Sequence, residues 1–217
     1  IAKLQIKLGL YEKAEENINK SLKILEEFRK DESKKVYLIQ AIQTQAALFG
    51  IKGLFDEAED ALNRSSRIIS KADNISGSDD LNTANELSSL LIQLGRYSAT
   101  QELLLKLTTE YEKLYGTNSV RLIEPLINTG KLSLARGDYT EASKIGDRAN
   151  NIAVSVYGEK STKTAFAQKL MADIDYAIGD YENAEDNILK ALESQEKQFG
   201  RNHIEVAKSL AQLGIIK

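Results

Sequence analysis

Few side chains in this sequence are suited to catalysis. His203 is the only histidine and cysteine is absent, so a Ser–His pair has one possible base and a Cys–His pair has no thiol. His203 lies where a helix is predicted to begin, which indicates a structural role. No glycine-rich phosphate loop occurs, and the carboxylates fall on predicted outer helix faces. We therefore expect a non-catalytic protein with no cofactor and no metal site.

Amide and lysine side chains offer a different chemistry, which is recognition of a partner. Asn and Gln each carry a donor and an acceptor, so they can hold a peptide backbone through paired hydrogen bonds whatever its side chains are. Lys131 and Lys169 would add a site for a carboxylate. Which of these side chains face a partner depends on the helices that position them.

An internal repeat defines those helices. The pattern Gly-x-aromatic-x-x-Ala occurs in four copies, and a further copy has Thr100 in the alanine position. A small residue stands seven positions before each glycine and an aliphatic residue five positions before it. The turn glycines are Gly9, Gly53, Gly95, Gly137 and Gly179, at spacings of 44, 42, 42 and 42.

Each copy predicts two helices, which we call helix A and helix B. Helix A ends at the glycine, because glycine tolerates a left-handed backbone, and helix B begins at the aromatic residue. Apolar spacing predicts helix B of the third copy from about Tyr97 to Tyr115. The recurring aromatics are predicted to be core, and the predicted N-terminal caps of later A helices are Ser119, Ser161 and Asn202. The longer first spacing predicts an extended linker at 31–35.

The motif and its period identify a resemblance. A period near 42 also fits HEAT and armadillo repeats, but the Gly-x-aromatic-x-x-Ala turn argues against them. The chain resembles the tetratricopeptide repeat (TPR) family, and in particular its 42-residue, kinesin-light-chain-like variant. The segment Phe199–Ala207 is similar to that variant's linker, although Ile204 stands where the family usually has proline. TPR proteins serve many unrelated complexes, so the resemblance is specific for fold and weak for function.

The resemblance implies an all-α fold, a right-handed α-α superhelix (solenoid) of TPR helix pairs. We expect nine to ten helices and one solenoid over 1–217, with about five repeats of which both terminal ones are incomplete. The single proline agrees with a helical chain. Both ends run through predicted helices, and Leu210, Leu213 and Ile216 form an apolar stripe without a following helix B. We therefore expect a segment of a longer protein.

In such a superhelix the A helices line the concave face. Some residues of helix A are neither the recurring small and aliphatic residues nor on the side that faces helix B. These residues are predicted to project into that groove and to bind a partner. Counted from each turn glycine, these residues are Gln40, Gln43, Asn82, Asn85, Glu124, Asn128, Lys131, Phe166, Lys169, Asp173, Tyr176, Lys208 and Gln212.

The leading functional hypothesis is a scaffold that binds a peptide or a partner domain in this groove. With a net charge of −3 the chain is not the polycation that nucleic-acid binding favours, and no run of about 18 apolar residues predicts membrane insertion. Two alternatives stay open. One is a regulatory or sensor arm of a larger bacterial protein, such as a TPR-CHAT protease or an NTPase switch. The other is an assembly subunit of a bacterial envelope or secretion machine.

Overall fold

A computed structural model describes residues 1–70, 78–93 and 95–217. This part of the chain contains eleven α-helices and no strand. The count exceeds the expected nine to ten because five pairs of helices A and B are followed by one further helix A. Odd-numbered helices are A helices and even-numbered ones are B helices. Their bounds are α1 Ala2–Lys7, α2 Tyr11–Glu27, α3 Glu32–Ile51, α4 Phe55–Ser70, α5 Ser78–Gln93, α6 Tyr97–Tyr115, α7 Ile123–Ala135, α8 Tyr139–Tyr157, α9 Thr162–Ile178, α10 Tyr181–Phe199 and α11 Ile204–Ile216.

The helices group into two compact units. The N-terminal unit spans Ile1–Arg96 and the C-terminal unit spans Tyr97–Lys217. Within each unit, consecutive helices form the main contacts, as between α3 and α4 or between α9 and α10. The fold class, an all-α solenoid of helix pairs, is confirmed. The assignment of 1–217 to one solenoid stays a prediction.

The turns between helices A and B form at the predicted glycines. Gly179 has φ 86° and ψ 10°, in the left-handed region, and the other turn glycines also have positive φ. The turn after α9 is closed by the amide of Asp180, which donates to the carbonyl of Asp175 at 2.8 Å. A side chain at these glycines would strain the backbone, which explains why the motif retains glycine there.

The ends of the helices follow the predicted signals, with two corrections. Helix α6 spans Tyr97–Tyr115 as predicted. Ser161 caps α9 as predicted and accepts the backbone amide of Lys163. Ser119 accepts the amide of Arg121 but caps a short 3-10 helix, Val120–Leu122, that precedes α7. At α11 the cap is His203 and not Asn202: its Nδ1 accepts the amide of Glu205 at 3.2 Å. The predicted linker at 31–35 is also wrong, because Asp31 caps α3 and the helix begins one residue later.

The core contains the small residues that recur at fixed positions of the repeat. Ala14, Ala58, Ala142 and Ala184 are fully buried where helix B approaches helix A, and so is Thr100 in the same position. The small residue seven positions before each turn glycine is also buried from the second copy onward. These small side chains allow the two helices of a pair to pack closely.

The prediction that the recurring aromatics are core is wrong. Phe55, Tyr139 and Tyr181 are 62%, 44% and 58% exposed. Each ring belongs to the first residue of a helix B, at the edge of the helix pair. Tyr181, for example, lies at the surface with its ring centroid 5.6 Å from that of Tyr176. The aromatic residue therefore recurs because it follows each turn, and not because its ring is buried.

Enlarging a fully buried alanine is expected to destabilise the helix pair. Ala184→Leu adds three carbons at a site with 0% exposure, so the unfolding free energy should fall by about 1–3 kcal/mol. Urea unfolding followed by circular dichroism measures the change. The matched control is Ala177→Leu on the exposed end of α9, which should have little effect. Equal stability of the two variants would contradict the placement of the α9–α10 contact.

Asp175 is expected to make stability depend on pH. It is 8% exposed and accepts a hydrogen bond from Asn187 Nδ2 at 2.8 Å. Burial, together with the charges of Asp180 and Asp147, raises its pKa, although the hydrogen bond from Asn187 opposes the shift. A carboxyl with a raised folded-state pKa stabilises the fold in acid, and this contribution is lost as the pH rises through that pKa.

The matching variant is Asp175→Asn, which keeps the shape of the side chain without the charge. At neutral pH it should melt at a higher temperature than the unsubstituted protein, because the folded state no longer buries a carboxylate. The difference should shrink as the pH falls below the unfolded-state pKa of aspartate. Thermal melts over this pH range measure it. A lower melting temperature at neutral pH would show that the charged form is favoured by its surroundings.

Candidate functional site

The predicted groove residues of the N-terminal unit lie mostly below the surface. Gln43 and Asn85 are 2% and 6% exposed, and Gln40 is half-buried. The side chain of Asn82 lies outside the described residues. Buried amides such as Gln43 and Asn85 expose little area with which to reach the backbone of a bound peptide.

In the C-terminal unit, most of the predicted groove residues lie on one face. We call this surface, formed by α7, α9 and α11, the A face. Helix α9 presents four residues on one side at spacings of three, four and three, which is the period of an α-helix. The buried exception is Asn128, which is 6% exposed. The predicted residues on the A face are Glu124 and Lys131 from α7, Phe166, Lys169, Asp173 and Tyr176 from α9, and Lys208 and Gln212 from α11.

Hydrogen bonds tie two of these helices together. Gln212 on α11 donates from Nε2 to the Lys169 carbonyl oxygen at 3.0 Å and to Asp173 Oδ1 at 2.6 Å. On the same helix Lys208 Nζ donates to Glu205 Oε1 at 2.8 Å. Gln212 and Asp173 therefore position α11 against α9, and Gln212 Nε2 and Asp173 Oδ1 are already engaged by this contact.

Three lysines converge on this part of the A face. We call Lys131, Lys169 and Lys208, with Asp173 and Glu205 among them, the lysine cluster. Lys131 is solvent-accessible, yet the surrounding protein removes water from its ammonium group, and this desolvation lowers its pKa against the opposing charge of Asp173. Desolvation also lowers the pKa of Lys169, with Lys208 and Lys131 contributing repulsion. Partly dehydrated cations of this kind are favourable partners for an anion.

The two carboxylates of the lysine cluster respond in opposite directions. Burial raises the pKa of Asp173, although Lys131, Lys169 and the hydrogen bond from Gln212 oppose it. For Glu205, burial acts to raise the pKa, but the hydrogen bond and charge of Lys208 outweigh it and the pKa is lowered. With three lysines and two carboxylates, the cluster keeps an excess of positive charge.

Glu205 belongs to the cluster although it was not among the predicted groove residues. Its signal was present, because Glu205 precedes Lys208 by three residues and such pairs lie side by side on a helix. Apolar surface also adjoins the cluster along α9. Phe166 and Tyr176 are 41% and 40% exposed, and they lie three residues before Lys169 and three residues after Asp173.

His203 takes the structural role predicted for it. Besides capping α11, its ring stacks on Phe199 with the centroids 4.4 Å apart. Across the described residues, no three histidine or carboxylate side chains form a group that could hold a metal ion. None of the helices described here is both long and apolar enough to cross a bilayer.

Comparison with known proteins places the repeat in a family. Residues 130–197 match the family model of the tetratricopeptide repeat. No curated protein matches the chain significantly. The crystal structure of BtubC (BKLC) from P. vanneervenii superposes with a TM-score of 0.74 at 15% sequence identity, covering 95% of this chain and 82% of that one. At this identity the likeness shows the fold alone.

These findings confirm the resemblance predicted from the sequence. Tetratricopeptide repeats generally mediate protein–protein interaction. The regulatory-arm and envelope or secretion alternatives, and the bacterial origin, stay predictions. Residues 130–197, which include all of α8 and α9 and most of α10, match the tetratricopeptide repeat family model, and the chain has an α-solenoid fold of the kind found in that family.

Proposed function

We propose that the chain is a non-catalytic interaction scaffold whose A face binds an acidic peptide segment of a partner protein. The observation that carries this proposal is the lysine cluster, in which three successive A helices each contribute one lysine: Lys131, Lys169 and Lys208. Side chains from separate repeats can contact one extended ligand in order. A single helix could not offer this arrangement.

The electrostatics of the cluster favour an anionic ligand. Desolvation lowers the pKa of Lys131 and of Lys169, so the protein gives each ammonium group less stabilisation than water would. Asp173 and Glu205 compensate for part of this loss but leave an excess of positive charge. A ligand carboxylate would restore favourable interactions for the lysines and form charge-assisted hydrogen bonds with them.

The aromatic residues indicate what should flank the acidic group. Phe166 and Tyr176 lie on either side of Lys169 and Asp173 along α9, with about two fifths of each residue exposed. Aromatic side chains bury large apolar areas on binding. We therefore infer a ligand with apolar side chains on both sides of its acidic residue. The amides of Gln43, Asn85 and Asn128 have no part in this proposal because they are buried.

Selection from a random peptide library tests the proposal. Displayed peptides should be selected against the immobilised protein, and enrichment of acidic residues near apolar ones is the expected result. The enriched peptides should then bind poorly to the double variant Lys131→Gln, Lys169→Gln. Enrichment without acidic residues, or equal binding to the variant, would overturn the proposal.

A further inference from the structure

A second charged surface lies in the N-terminal unit. It is a groove of about 730 Å³ where α2 ends, α3 begins and α4 ends. We call it the basic groove. It concentrates positive charge in a chain whose net charge is −3. Its basic lining residues are Arg29, Lys30, Lys35, Arg64 and Arg67.

The carboxylates of the groove compensate for only part of this charge. Glu26 forms an ion pair with Arg64, and Asp60 is the other acidic lining residue. Among the described lining residues, five basic side chains therefore stand beside two acidic ones. This composition gives the described lining a positive formal charge, which attracts anions and raises their local concentration.

The helix dipole favours some of these cations but not all of them. Arg29 and Lys30 follow the end of α2, and Arg67 lies in the last turn of α4. Cations are favourable at these positions, because the C-terminal end of a helix carries partial negative charge. Lys35 is different, since it lies in the first turn of α3, where the helix end is partially positive. Its presence beside the other cations is not explained by the helix dipole.

We propose that the basic groove binds an acidic peptide segment of a partner protein. A nucleic acid fits the lining less well, because every residue of its backbone carries a phosphate that Glu26 and Asp60 would repel, whereas a peptide can place an uncharged residue beside them. The described lining residues also include no aromatic ring on which a base could stack. Leu38 and Ile68 lie in the groove instead, and they suit the apolar side chains of a peptide. The groove is a binding site separate from the lysine cluster.

The test uses the full chain and a fluorescein-labelled peptide of Glu and Asp residues with two Leu residues. Fluorescence anisotropy should detect binding that weakens as salt is added, because salt screens exposed charges. The double variant Arg29→Glu, Lys30→Glu should bind at least about ten-fold more weakly, since charge reversal makes the groove repel the peptide. Both residues are exposed after the end of α2, and circular dichroism should confirm unchanged helicity.

The matched control changes the net charge equally at sites outside the groove. Lys13→Glu with Lys106→Glu alters two exposed lysines and should reduce affinity by less than about two-fold at physiological salt, where distant charges are screened. Equal losses in the two double variants would overturn the proposal, as would absence of binding at low salt. Tighter binding of a labelled oligonucleotide of equal charge would overturn the choice of a peptide. Loss of binding only in Lys131→Gln, Lys169→Gln would place the peptide on the A face and also overturn it.

Discussion

Replacing both Lys131 and Lys169 by glutamine is expected to weaken the binding of an acidic peptide to the A face by about a hundred-fold or more. Losing a hydrogen bond to a charged group costs about 1.5–3 kcal/mol, and about 1.4 kcal/mol corresponds to a factor of ten in affinity. Lys169 is half-buried, so water screens its attraction to a ligand less than at a fully exposed site. Anisotropy titrations with a library-selected peptide measure the loss.

The control for this prediction lies on the outer B helices. Glu141→Ala with Glu182→Ala changes two exposed residues of α8 and α10 and should leave the affinity nearly unchanged. Asn128→Ala separates binding from stability, because Asn128 is 6% exposed. This variant should lower the melting temperature and leave the affinity for the peptide nearly unchanged. If the outer pair abolished binding while the lysine pair preserved it, the partner would bind the outer surface and not the A face.

The helices were predictable because their signals are local. Positive φ at Gly137 or Gly179 depends on the residue itself, since only glycine adopts that backbone readily. The apolar period likewise fixes the face of each helix. For these reasons the bounds Tyr97–Tyr115 follow from the sequence alone. The cap of α11 was uncertain by one residue because Asn202 and His203 can both accept an amide hydrogen bond.

The depth of the groove residues was not predictable in the same way. Counting from a turn glycine identifies the face of helix A that avoids helix B, but it gives no distance between neighbouring A helices. Where those helices approach closely, the amides of Gln43, Asn85 and Asn128 become buried. Gln212 was predicted to contact a partner, yet it bonds to α9. Such contacts depend on the packing of successive repeats.

The aromatic column shows that a regular pattern does not by itself indicate burial. Phe55, Tyr139 and Tyr181 recur at the period of the repeat, but each lies at the beginning of a helix B and is largely exposed. The alanine three positions later is the buried member of the motif. A small side chain at a fixed position is therefore the better indicator of a close helix contact. A second close contact lies at Gly146, where the other copies of the repeat have Ile or Leu.

Gly146 marks that close contact, and enlarging it is expected to produce the greatest loss of stability. A Cβ atom at this buried position of α8 would lie 2.7 Å from Met171 Sδ and 2.9 Å from Ile174 Cδ1 on α9. Valine adds two methyl groups beyond that atom. Replacing glycine in a helix by itself favours folding by less than about 1 kcal/mol. This gain cannot offset the clash with Ile174, which is fully buried.

We therefore expect Gly146→Val to lower the unfolding free energy by about 3 kcal/mol, the upper part of the usual range for overpacking. Urea unfolding followed by circular dichroism measures it, and the loss should centre on the C-terminal unit because repeats contact mainly their neighbours. The control is Gly214→Val in α11, where an added Cβ meets no atom within 4 Å. That variant should differ from the unsubstituted protein by less than about 0.5 kcal/mol. Equal stability of the two variants would mean that α8 and α9 can separate at Gly146 without cost, contrary to the close contact described here.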